Sequence, residues 1–201
     1  RFDELSIPDY STLCRYRNWL AQDDTLSELL QLINRQLTEK NLKVEKASAA
    51  VIDATIIQTA GSKQRQAIEV DEEGQVSGQT TPSKDKDARW TKKNGLYRLG
   101  YKQHTRTDAE GYIKKLHITP ANAPVVFVVE GLPKGTTTKR NRYLSKTRYV
   151  IEQSFGTLHR KFRYARSTYF GLIKVSAQSH LKAMCLNLLK TANRLSAPVV
   201  A

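Results

Sequence analysis

The order of apolar patterns along this 201-residue chain predicts an α/β fold, in which helices cover a mixed sheet behind a small helical lead-in. Three observations carry that expectation. Residues 7–42 keep a helical periodicity, the run AAVIDATII at 49–57 is short, apolar and β-branched, and two alternating runs joined by a turn precede two amphipathic segments.

In the lead-in, Pro8, Asp9 and Ser11 form a helix start, and Leu26, Leu29, Leu30, Ile33 and Leu37 recur at helical spacing. The run at 49–57 reads as a buried central strand. Residues 62–94 are polar, rich in Gly, Gln, Thr, Lys and Asp, and read as an exposed excursion without regular structure. Leu96–Thr107 and Tyr112–Thr119 alternate as strands around the turn residues Asp108, Ala109, Glu110 and Gly111. Over 147–164, Ile151, Phe155, Leu158 and Phe162 share a helical face. Over 173–195, Ala177, Leu181, Met184, Cys185 and Leu188 share another. The division expected is a helical segment at 1–42, serving DNA binding or as a lead-in, and a catalytic domain at 43–201 with a polar insertion near 62–94.

Charge narrows the partner. Thirty-three Lys and Arg face nineteen Asp and Glu, a formal +14, which favours a polyanion, with nucleic acid the first candidate and an anionic membrane surface the alternative. The longest apolar run, Val125 to Val129, is far short of the ~20 residues of a spanning helix, so no membrane partner is expected. Cys14 and Cys185 alone define neither a zinc site nor a disulfide framework, which fits a reducing cytoplasm. The chain opens at Arg1 without a secretory signature and reads as a fragment or a trimmed chain.

Two acids stand out. Asp53 lies inside the apolar strand, where an ionised carboxylate costs on the order of several kcal/mol unless donors or a cation compensate it. Two readings stand open: an Asp bonding nearby backbone amides, or a metal or catalytic ligand. Glu152 lies on a helical stripe with Arg148, Gly156, His159 and Arg163, at the edge of the apolar face. An ordinary surface pair with Arg148 is the plain reading. Yet Glu152 is the sole acid after Glu130, surrounded by Lys139, Arg140, Arg142, Lys146, Arg148, Arg160, Lys161, Arg163, Arg166 and Lys174, which points to a place where a metal and a phosphate backbone meet.

RYVIEQSFGTLHRKFRYAR at 148–166 and YFGLIKVSAQSHLKAMCLNLLK at 169–190 resemble the C-terminal segment of DDE transposases from bacterial insertion sequences, of the family-five type. FDELSIPDYSTLCRYRNWL resembles their N-terminal helical segment, and VIDATII, GYKQHTRTDAEGYIKKLHITPANA and EGLPKGT their strand region, in family order. The resemblance implies an RNase H-like fold in which three carboxylates hold Mg²⁺, with Mn²⁺ able to substitute. Asp53 then matches the first ligand and Glu152 the closing one, with Arg148, His159, Arg160, Lys161, Arg163 and Arg166 as the DNA-contacting set. His159 stands where the family usually has Lys.

The middle Asp of that family belongs on a further strand shortly after EGLPKGT. Here Thr136, Thr137 and Thr138 lead directly into Lys139, Arg140, Asn141 and Arg142, and no Asp occurs after Asp108. The expectation is an internal deletion that removes a central strand with its acid. Glu130 and Asp108 are the candidate substitutes, although an Asp at a turn ordinarily bonds backbone amides. The sequence therefore predicts a bacterial, nucleoid-associated transposase, binding double-stranded DNA at insertion-sequence ends and target and catalysing metal-dependent strand cleavage and transfer, in a catalytically defective copy. The alternative is a non-enzymatic DNA-binding protein that regulates full-length transposase by pairing with it or occupying its DNA, and a homo-oligomer is compatible with either.

Overall fold

The computed structural model describes residues 8–43, 51–61, 69–70, 76–77, 84–93, 95–124 and 137–196, with the backbone alone for 69–70, 76–77 and 137–147. The lead-in forms α1 (Tyr10–Leu20) and α2 (Thr25–Glu39). Asp9 starts α1 as its composition predicts: Oδ1 accepts the Thr12 amide at 2.7 Å. Leu26, Leu30 and Leu37 of α2 are buried, and Ile33 packs beside them, whereas Leu29 is exposed.

Next come β1 (Val51–Gln58), the short β2 (Glu69–Val70) and β3 (Val76–Ser77), then β4 (Arg89–Lys93), β5 (Leu96–Thr107) and β6 (Ile113–Pro120). β5 is the spine of a four-stranded sheet. β1 pairs along its C-terminal two-thirds from Gly100 to Thr107, β4 along its first residues and β6 from Tyr101 onward, all antiparallel. Among the described residues β2 and β3 pair with each other as a separate two-stranded ribbon. The β5–β6 turn follows from Asp108, whose Oδ1 accepts the amides of Glu110 and Tyr112, and from Gly111, whose φ of 79° needs a residue without Cβ.

Two long helices, α3 (Thr137–Lys161) and α4 (Leu172–Leu195), cover the sheet. Ile151, Phe155 and Leu158 of α3 meet Val51, Ile57, Tyr101, Leu116 and Ile118 of the sheet, Val175, Ala183 and Leu186 of α4, and Leu26 and Leu30 of α2 in one core. The lead-in thus shares the core of the sheet.

The structure corrects three expectations. The excursion at 62–94 is not unstructured throughout: β4 adds to the sheet, and the segment just before it carries Asp85, a buried carboxylate that accepts from Thr59 Oγ1 at 2.6 Å, Tyr101 Oη at 2.5 Å and the Gly171 amide at 3.2 Å. The polarity of Asp85 is thus internal bonding, while Lys84, Lys86, Asp87 and Arg89 around it are exposed. α3 begins ten residues before the expected Thr147 and ends at Lys161, because 137–146 contains neither Gly nor Pro and its charges hide the helical period. Phe162 and Arg163 accordingly leave the helix, Arg163 at φ 51°.

In α4 the expected face splits: Ala177 and Met184 are buried but Leu181, Cys185 and Leu188 are exposed, while Gln178, Ser179, His180, Asn187 and Thr191 are buried. The polar side chains find partners. Asn187 donates to Ile113 O and Asn34 Oδ1 and accepts the Ile113 amide, and Ser179 bonds Tyr164 Oη.

Candidate metal and nucleic-acid site

β1 and α3 build the site. Alternation along β1 puts Asp53 and Thr55 on one face, and α3 crosses that face so that Arg148 reaches Asp53 and His159 reaches Thr55. Arg148 Nε lies 3.6 Å from Asp53 Oδ2 and 3.0 Å from Glu152 Oε1. The two carboxylates therefore sit within the sum of those distances of each other, around one guanidinium. Asp53 is 9% exposed, and its Oδ1 accepts the Ala54 amide at 2.7 Å, so both readings of this residue have a counterpart: one oxygen serves the backbone and the other faces the site. Glu152 is 57% exposed.

Among the described residues no group of three or more His, Cys, Asp or Glu side chains comes together, so Asp53 and Glu152 stand as a pair. Asp108 is buried in an ion pair with Lys43 Nζ at 3.1 Å while holding the turn amides, which leaves it a structural role. Glu130 lies outside the described residues.

The basic residues differ in availability. Arg148, Arg160, Lys161 and Arg163 are exposed. Arg160 Nε donates to Gly156 O within its own helix. Arg166 is engaged with the chain: its guanidinium donates to the carbonyls of Thr59, Ala60 and Gly61 at 2.9, 3.1 and 2.6 Å, fastening the end of β1. His159 Nε2 stands 3.4 Å from Thr55 Oγ1; burial first, then Arg98 and Lys93, hold it below the usual imidazole range. The ring lies beside β1 with the Thr55 hydroxyl as its hydrogen-bonding neighbour. Sequence periodicity did not reveal Thr55, Arg98 and Lys93 as its surroundings, because they come from strands whose pairing joins distant segments.

The Transposase DDE domain model matches residues 45–125 and 129–188. The chain is a DDE transposase-family protein. It is also 73% identical to the transposase for insertion sequence element IS1106 of Neisseria meningitidis serogroup B, across 93% of this chain and 80% of that protein. The matched stretch runs over 230 positions, more than the 201 residues of the whole chain, so the relative carries residues inside the match without a counterpart here. The family match itself breaks between residues 125 and 129. No solved structure matches it. No helix among the described residues is long and apolar enough to cross a membrane.

Proposed function

We propose that this transposase binds duplex DNA across the basic surface around α3, that Asp53 and Glu152 are its surviving metal-ligating pair on an RNase H-like sheet, and that this copy cannot cut DNA. The observation that carries the reading is the convergence of a buried strand carboxylate and a helix carboxylate on one point. Hard oxygen donors of this kind suit Mg²⁺ or Mn²⁺, so the donor set fits one ion. A divalent ion there would stabilise the charge that develops on oxygen during phosphoryl transfer. Asp53, fixed by the Ala54 amide and by burial, sets the position; Glu152, on the exposed side of α3, completes it. Arg148, Arg160, Lys161 and Arg163 attract and orient the phosphate backbone, His159 contributes a neutral contact, and Arg166 contributes chiefly by holding the end of β1.

The reading that a third acid is missing is supported by the absence of any Asp after Asp108 and is consistent with the longer match to the IS1106 relative. Two carboxylates do not offset two divalent ions. Cleavage of end-containing DNA in Mg²⁺ or Mn²⁺ should be undetectable for this chain, with binding retained, and should return when the absent segment and its Asp are restored. Cleavage by the unrestored chain that vanishes on Glu130→Gln would sink the reading. The same shortfall favours a second role: a chain that keeps the basic surface and lacks the acid would dampen transposition by occupying DNA or by pairing with full-length transposase. Adding this chain to an active full-length transposase should then lower its cleavage in proportion to dose.

A further inference from the structure

We propose that Arg148 acts as a built-in cation that occupies the ion position, so that a divalent ion enters only when this side chain swings away to a DNA phosphate. The inference rests on the proposed metal-ligating role of Asp53 and Glu152.

Three observations carry it. Nε of Arg148 lies within 3.6 Å of Asp53 and 3.0 Å of Glu152, so the guanidinium occupies the space that both carboxylates face. The other oxygen of Asp53 is taken by the Ala54 amide, so Oδ2, the oxygen an ion needs, is the one Arg148 holds. Arg148 and Glu152 are each 57% exposed, one turn apart on α3, so the arginine can leave without repacking the core.

Charge makes the two occupants exclusive. Two carboxylates and one guanidinium leave a net charge of minus one. An ion at the Mg²⁺–oxygen distance of about 2.0–2.1 Å would lie within a few ångströms of the guanidinium, too close for salt to screen their repulsion. No third acidic neighbour among the described residues absorbs that charge. A released guanidinium is a strong bidentate ligand for phosphate, and the exposed Arg160 near the end of α3 and Arg163 just beyond it mark where the backbone would run. Ion and DNA therefore strengthen each other's binding, and by linkage they do so equally.

The test uses the full chain without DNA, titrated with Mn²⁺ and followed by electron paramagnetic resonance. Arg148→Gln and Arg148→Met should each bind Mn²⁺ about tenfold more tightly than the parent, whereas Arg148→Lys, which keeps the charge, should stay close to the parent. In a second measurement, Ca²⁺ should raise the affinity of the parent for a fluorescent duplex relative to chelator, and that gain should disappear in Arg148→Gln. Mn²⁺ bound by the parent and lost on Glu152→Gln, but no tighter in either neutral variant, overturns the gate and leaves the metal site standing. No Mn²⁺ binding that depends on Asp53 or Glu152 in any variant overturns both.

Discussion

Asp53 shows how much a single residue can reveal and what it withholds. An acid in an apolar run had to find compensation, and it has: one backbone amide and one guanidinium. Which cation would compensate it was not legible, because Arg148 lies ninety-five positions away and reaches it only through the packing of α3 on β1. Gly100 shows the opposite. Nothing in its neighbours marks it, yet it is the point where β1 and β4 both meet β5, and a Cβ there would stand 2.1 Å from the Ile57 carbonyl oxygen. Gly100→Ala should therefore cost at least about 2 kcal/mol through forced backbone movement, readable as a lowered denaturant midpoint. An unchanged midpoint would mean that the strands separate there without cost.

Among the elements, periodicity located β5, β6 and both long helices, and a continuous apolar run located β1. Among the described strands, however, β1 pairs only with β5 and lies at an edge rather than in the centre, where β5 stands. Periodicity failed where burial is polar. The buried side of α4 carries Gln178, Ser179, His180, Asn187 and Thr191, and a pattern search for apolar residues rotates the helix away from its true face. The start of α4 was equally hidden. Gly171 precedes it without a capping side chain, and Asp87, far off in sequence, supplies the missing acceptor to the Leu172 amide at 2.8 Å. Asp87→Ala should cost about 1 kcal/mol, a drop of roughly 2–4 °C in melting temperature for a chain of this size. Asp85→Ala should cost more, because the buried hydroxyls of Thr59 and Tyr101 lose their acceptor together; calorimetry in which the two variants melt alike would contradict the larger cost.

For the whole molecule, two dependences on solution conditions follow from its charges. His104, His159 and His180 are all held below 6.5, in each case by burial first. The unfolded chain then takes up protons before the folded one as pH falls. The stability these rings contribute is complete above 6.5 and is lost as pH drops through their lower folded values. Melting temperature should thus decline between about pH 6.5 and 5, and His159→Gln should flatten part of that decline; a flat profile in the parent would contradict the burial of the three rings. DNA affinity should fall steeply from about 50 to 200 mM salt through counterion release. Gln at Arg160 and Lys161 should weaken binding to every sequence alike and reduce the salt slope, as measured by fluorescence anisotropy.

The amides of Asn34 and Asn187 have a consequence for how copies of this chain meet. They engage the outward backbone N–H and C=O of Ile113 at the start of β6, much as a neighbouring strand would. A false strand of this kind withholds the template by which one sheet recruits another, and it does so with side chains anchored in α2 and α4. Replacing Asn187 with Leu would strip the buried Ile113 N–H of its acceptor while Asn34 still donates to the Ile113 carbonyl, so the border would be left half closed.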